Sequence, residues 1–289
     1  MFRCKGEVQE WPNWQHWKCC VGQPTVGSNP TLSARGLHKG KSLSVFIHNS
    51  TPGTYSELLT NPDELVIPVT DGMRPLPKLN EPLVQPFVLH SASGEHEPLV
   101  SVVGPRTTTL AVYHHAGYRE ASPQMYLRSR VVERLCRAAA SLPDGFGLAV
   151  LDAWRPLSLQ QKLFETAVEN QHDTGFVAEP SPDPATPPPH LTGAALDVTL
   201  TWEGVALRLG SDFDDFTTRT ITTAFEAMPG PVRELRRLLY WAMHEQGFIV
   251  LEHEWWHFEY GTRRWAAINS TAALYGPAAP PQTHISYAE

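Results

Sequence analysis

Two short stretches constrain this chain more than anything else in it. They are His190-Leu191-Thr192-Gly193-Ala194-Ala195-Leu196-Asp197 and Glu254-Trp255-Trp256-His257. Between them they supply two imidazoles and a carboxylate, which can hold one metal ion with a fourth position left open. They also supply Glu254, a carboxylate placed three residues before the last imidazole. Three protein ligands, an open position and a general base are the minimum kit of a zinc hydrolase. A metal there would tie distant parts of the chain to one point.

Composition narrows the classes. A chain of 289 residues is long enough for one large domain, or one domain with appendages. Its net charge of -7 argues against a nucleic-acid partner. No run of eighteen apolar residues occurs, so no transmembrane helix and no membrane partner are expected, and the start lacks the pattern of a signal peptide. Three of the four cysteines (Cys4, Cys19, Cys20) lie in the first twenty residues, leaving Cys136 alone in the rest. A core without a disulfide framework fits a reducing, cytoplasmic location.

Residues 1–52 differ in character from the rest of the chain. They carry six Lys/Arg against two Asp/Glu, a net of +4 that leaves -11 for the remainder. No helical or strand periodicity can be followed there. Gly27-Ser28-Asn29-Pro30 is what the T-arm of a transfer-RNA gene reads as when translated in one frame. The segment therefore reads as a non-native or disordered extension produced by a start codon set too far upstream, with 53–289 as a single catalytic domain. A natural flexible extension is the alternative.

Several elements are expected in the body. Glu64 to Thr70 and Thr107 to Tyr113 read as strands from their β-branched content. Tyr126 to Leu142 has Val131, Val132, Leu135 and Ala139 at helical spacing. Gly147 to Ala153 reads as a buried strand ending before Pro156, and Ser158 to Asn170 as a helix. A Pro-rich loop over Ala178 to Pro189 delivers the chain to His190, and Ala194 to Leu200 is a strand carrying Asp197. Pro231 to Gln246 is a helix with Pro at its start and Gly247 at its end. Phe248 to Leu251 and His257 to Tyr260 are β-prone. No βαβ rhythm is present, so the class is α+β: a small antiparallel sheet flanked by helices.

His253-Glu254-Trp255-Trp256-His257 also matches H-E-x-x-H, in which both histidines bind one zinc from a helix. The flanks oppose that reading. Phe248-Ile249-Val250-Leu251 and Phe258-Glu259-Tyr260 favour strand, and Gly247 and Gly261 bound the segment closely. His253 is then a neighbour of the site, and the pairing of His257 with His190 and Asp197 is preferred.

At these residues the sequence resembles a known family. The H-x-x-G-x-A-x-D pattern followed by E-x-W-H is similar to that of the zinc D,D-peptidases sharing the hedgehog-type fold. The doubled Trp of Glu254-Trp255-Trp256-His257 resembles the VanX-type D-alanyl-D-alanine dipeptidases, and Asp152-Ala153-Trp154-Arg155-Pro156 resembles the family's segment bearing a catalytic arginine. The likeness spans roughly residues 60 to 265 and has three motifs in order. It implies one zinc per chain, held by His190, Asp197 and His257. It implies Glu254 as the base acting on a metal-bound water and Arg155 as the stabiliser of the oxyanion. Asp214 matches the position that meets the substrate ammonium, and Tyr118 and Tyr126 are candidates to line the pocket. One position departs: the motif's serine, two residues before the first histidine, is Pro188 here.

The chemistry suits the residues. Zinc with two neutral imidazoles and one carboxylate keeps a positive charge and lowers the pKa of a bound water from 15.7 to about 7. Glu254 would take the proton and pass it to the departing amine. Arg155, always charged, would face the oxyanion. Asp197 in an apolar strand would be a costly buried charge without such a partner. Duller readings stand beside these: a loop histidine at His190, an Arg155–Asp152 ion pair, core aromatics at Trp255 and Trp256, a solvated acid at Asp214. The expected activity is hydrolysis of the small dipeptide D-Ala-D-Ala to two D-alanines. The rivals are a D,D- or L,D-carboxypeptidase acting on longer wall peptides, and a zinc-bearing module without turnover.

Overall fold

The computed structural model describes residue 55 and residues 57–69, 72–79, 82–85, 97–170 and 177–281, all within the unit Asn49–Glu289. The expectation for residues 1–52 lies outside the described residues.

Among the described residues eight strands and five α-helices are formed: β1 (Leu99–Ser101), β2 (Thr107–Thr109), α1 (Val112–His115), β3 (Tyr126–Arg128), α2 (Ser129–Ser141), β4 (Phe146–Asp152), α3 (Leu157–Glu169), β5 (Ala195–Trp202), β6 (Val205–Ala206), α4 (Pro231–His244), β7 (Ile249–Val250), β8 (His257–Glu259) and α5 (Arg263–Ile268). The main sheet runs β2-β4-β5-β8-β7, with β6 added to β5, and β1 pairs with β3 in a separate ribbon. Every pairing is antiparallel except β2 with β4.

The centre of the sheet is its driest part. Every residue of β4 is buried, and so is β5 up to Thr201. Leu148, Leu196 and Leu200 are wholly buried, each side chain contributing about 1.5–3 kcal/mol over exposure. Helices α2 and α4 lie against each other and against β4 and β5. The stripe predicted for α2 is its buried face: Val131, Val132, Leu135, Ala138 and Ala139. On α4, Leu235, Leu239 and Met243 face inward, and Pro231 begins the helix as expected.

Three expectations need correction. Glu64 to Thr70 is not a strand: a 3-10 turn spans Pro62–Glu64, and the described residues beyond it run without a ladder. Pro68 lacks an amide to donate and Val66 is 95 % exposed, so β-branched content there meets no partner strand. Thr107 to Tyr113 is strand only to Thr109, because Ala111 takes a left-handed backbone (φ 43) and α1 follows. Tyr126 to Arg128 is strand rather than the first turn of a helix, because it pairs with Leu99–Ser101 before α2 begins at Ser129.

Register places the site. Asp197 on β5 stands opposite His257 on β8 and opposite Asp152 at the end of β4, just past an irregularity in the ladder. Three polar side chains thus form one row across three central strands.

Candidate active site

His190 reaches this row from a 3-10 turn, Pro189–Thr192. The turn is closed by Gly193 in the left-handed region (φ 69), whose amide donates to the His190 carbonyl at 3.0 Å. A side chain is excluded at Gly193, since a Cβ would lie 2.2 Å from Leu99 Cδ2. The Pro188 carbonyl accepts from the Leu191 amide at 3.1 Å, and no side chain caps the turn at the place of the missing serine.

Three donor atoms converge. His190 Nε2 lies 3.1 Å from His257 Nδ1 and 3.5 Å from Asp197 Oδ2, and His257 Nδ1 lies 3.0 Å from Asp197 Oδ1. All three residues are buried, and one ligand atom from each falls within 4.8 Å of the others. A tetrahedral zinc with arms of 2.0–2.1 Å needs its donors about 3.3 Å apart, which these separations match. The far side of each ring is also fixed. His190 Nδ1 faces the Ala153 carbonyl at 2.7 Å, and His257 Nε2 faces Glu259 Oε1 at 3.0 Å. With the ring protons directed at those acceptors, His190 Nε2 and His257 Nδ1 keep their lone pairs for a cation. The donor set fits zinc.

The three donors also hold one another's charges, so a cation entering between them would displace the proton that His257 shares with Asp197. Burial opposes ionisation of Asp197, but His190 and His257 overcome it and hold the carboxyl well below its usual range. Burial likewise opposes a charge on His257, yet hydrogen bonds from the ring to Asp197 and Glu259 raise it to about 10. Glu259 is held near 2 against its own burial, chiefly by the bond from His257.

Glu254 precedes this cluster in a turn, not a helix, with Oε2 3.9 Å from His257 Nδ1. Burial first, then the negative charges of Asp197 and Asp214, push it up to about 8, with His257 and Arg155 acting the other way. His253 is exposed and stands outside the donor cluster, so the helical zincin geometry is absent here.

Arg155 lies between β4 and α3, buried. Its Nε donates to Asp152 Oδ2 at 2.8 Å and its Nη1 to Gln160 Oε1 at 2.8 Å. The remaining nitrogen, Nη2, approaches Tyr113 Oη at 3.4 Å and Asp197 Oδ2 at 3.5 Å. The Asp152 pairing therefore exists, and it aims the other end of the guanidinium at the donor cluster. Asp214 accepts from Tyr113 Oη at 2.8 Å. Burial, with Asp197 next, raises its carboxyl to about 7, while Arg155 and Tyr113 oppose the rise. Tyr118 packs edge-on against Tyr113, with ring centroids 5.8 Å apart. Tyr126 is not brought into this group: its hydroxyl bonds Gln124 at an exposed position. Trp255 and Trp256 are both core aromatics, each 2 % exposed.

Sequence reasoning missed Tyr113, Gln160 and Glu259. Only Glu259 carried a signal. It lies two residues beyond His257 in a β-prone run, and alternation along a strand puts both on one face.

The fold and the buried His–Asp–His cluster, with an acid and an arginine beside it, define the framework of a peptidase. Residues 118–272 match Peptidase_M15, D-ala-D-ala dipeptidase, and the chain belongs to that family. It is 32 % identical over 186 residues to a D-alanyl-D-alanine dipeptidase of Synechocystis sp. PCC 6803, covering 52 % of this chain and 75 % of that protein. It is also 32 % identical over 118 residues to a D-alanyl-D-alanine dipeptidase of Escherichia coli K12, covering 40 % and 56 %. Among solved structures it is similar to the vancomycin-resistance D,D-dipeptidase VanXYg in complex with a D-Ala-D-Ala phosphinate analogue: TM-score 0.34, 18 % identity, 52 % of this chain and 58 % of that one. It is similar as well to VanYB in complex with D-alanine-D-alanine: TM-score 0.32, 16 % identity, 54 % and 84 %. Among the described residues no helix is long and apolar enough to cross a membrane.

Proposed function

We propose that this peptidase hydrolyses D-Ala-D-Ala to two D-alanines at one zinc ion held by His190 Nε2, His257 Nδ1 and an Asp197 oxygen. The observation that carries this reading is the convergence of those three donors, with both imidazoles locked from behind by Ala153 and Glu259. Zinc, when bound there, supplies Lewis acidity to the scissile carbonyl and makes water acidic enough to lose a proton near neutral pH.

The chain's own residues do the rest. Glu254, raised to about 8 by burial, is a stronger base than an ordinary carboxylate; in its ionised form it takes a proton from the attacking water and then gives it to the departing amine. Arg155 cannot lose its charge, and its free edge is directed at the carbonyl oxygen as negative charge develops there. Asp152 and Gln160 keep that edge in place by occupying Nε and Nη1. Asp214, oriented by Tyr113, meets the substrate ammonium, and that cation favours its ionised form. Tyr118 supports the Tyr113 ring and through it Asp214.

A substrate held by its ammonium must have a free amino end. The test is D-alanine release from D-Ala-D-Ala and from its N-acetylated form by the zinc-loaded protein, beside Glu254→Ala. Cleavage of the free dipeptide alone, lost in the variant, supports the proposal. Cleavage of the acetylated form at a comparable rate would replace it with a carboxypeptidase acting on longer wall peptides.

A further inference from the structure

Arg236 of α4 is only 3 % exposed, and among the described residues its guanidinium donates to main-chain oxygens alone. Nε reaches the Leu209 carbonyl at 2.8 Å and Nη2 the Arg219 carbonyl at 2.6 Å. Nη1 reaches the carbonyls of Ile221 at 2.6 Å and Thr222 at 3.4 Å. The rings of Phe225 and Trp255 lie 4.6 and 5.5 Å from its central carbon. Burying a cation without a counter-charge is expensive, and a residue kept there needs a reason. Burial and the nearby Arg219 lower its pKa to about 9, which still leaves it charged at neutral pH.

The four carbonyls belong to the two ends of one loop, residues 209–222, and that loop carries Asp214. The same loop is tied to the segment bearing Glu254. Trp255 donates its amide to the Thr220 carbonyl at 3.1 Å and its Nε1 to Ser211 Oγ at 2.9 Å. Thr222 donates its amide to the Glu252 carbonyl at 2.9 Å and its hydroxyl to the Leu251 carbonyl at 2.7 Å. Phe213 packs on Trp256 with centroids 5.3 Å apart. Asp214 itself has a left-handed backbone (φ 53), a conformation that persists in a non-glycine residue only where its surroundings hold it.

We infer that Arg236 is a positioning residue for recognition of the substrate's amino end. It closes the 209–222 loop against the Trp255 segment, so that Asp214 stands at a fixed span from Glu254 and the zinc ligands. That span selects a dipeptide with a free ammonium. The inference rests on the reading of Asp214 as the ammonium's partner. A planar guanidinium can bind four carbonyls at once, whereas an ammonium on the same stem cannot. Charge alone would therefore not preserve the loop.

The test is a double-mutant cycle between Arg236→Lys and Asp214→Asn, read as KM and kcat for D-Ala-D-Ala, with zinc affinity measured in parallel. Arg236→Lys should raise KM at least tenfold and change the zinc Kd less than threefold. The double variant should be no worse in KM than Asp214→Asn alone, because a displaced loop has lost what the second change removes. A merely structural arginine would give penalties that multiply, and that result overturns the inference. Phe225→Leu, which removes one ring beside the guanidinium, should move KM in the same direction, and the same cycle with it decides the matter where Arg236→Lys does not fold. An unchanged KM in Asp214→Asn would overturn the ammonium reading and this inference together. A raised KM there with unchanged values in Arg236→Lys and Phe225→Leu would overturn this inference alone.

Discussion

Glu254→Gln should abolish turnover and, in metal-stripped protein, stabilise the fold in a pH-dependent way. The folded carboxyl is pushed from 4.5 to about 8, mainly because burial penalises the ion. An acid raised in the folded state binds a proton there that the unfolded chain has already released. Stability from this group is therefore present below about 4.5 and is lost as pH rises to about 8. At 1.36 kcal/mol per tenfold the full rise sets a ceiling of about 5 kcal/mol. The side chain is 16 % exposed, and solvent screening reduces this to about 2–3 kcal/mol. Glutamine has nearly the same shape and no charge, so it escapes the penalty. The assay is denaturant unfolding of both proteins with a chelator present, at pH 5 and pH 9. The variant should match the wild type at the lower pH and exceed it by about 2–3 kcal/mol at the higher. An equal difference at both values, or a less stable variant at pH 9, would refute the argument that burial makes Glu254 a stronger base than an ordinary carboxylate.

Three further outcomes are expected. Glu259→Gln weakens the acceptor 3.0 Å from His257 Nε2, and zinc affinity should fall about 10- to 100-fold in competition with a chromophoric chelator. Arg155→Met removes the charge facing the cluster, so kcat/KM should drop about 100- to 1,000-fold; it also takes from the buried Asp152 its hydrogen-bonded cation, leaving only His190 Nδ1 3.6 Å away, with a loss of about 3 kcal/mol in chemical denaturation. Gly193→Ala would place a Cβ 2.2 Å from Leu99 Cδ2 at φ 69, and thermal unfolding should show a fall in Tm of several degrees with weaker zinc binding, because the displaced turn carries His190.

The elements legible in the sequence were those whose pattern is local. The helical stripe of Val131, Val132 and Leu135, the apolar run of β4, and Pro231 at the head of α4 each announce their structure without long-range help. Glu64–Thr70 misled because β-branched residues form a strand only when a neighbouring strand is free to pair, and here Pro68 interrupts, Val66 faces solvent, and Leu65, Ile67 and Val69 pack on the core without a ladder. The candidate metal ligands were readable because the spacing of His190, Asp197 and His257 resembles a family motif. What joins them was not. Asp197 meets His257 through strand register, and Tyr113 meets Asp214 across 101 residues of chain. Gln160 reaches Arg155 from the first turns of α3 and carries no spacing signal of its own. Arg236 looked like one more arginine on an amphipathic helix, and only its burial among carbonyls distinguishes it.

The most direct test is a titration of metal-stripped protein with zinc, followed by D-alanine release from D-Ala-D-Ala, beside His190→Ala and Asp197→Ala. Release should rise in proportion to added zinc and level off at one equivalent per chain, and neither variant should recover it. Full release by the stripped protein, or recovery in either variant at one equivalent, would contradict the assignment of this site as the zinc-dependent catalytic centre.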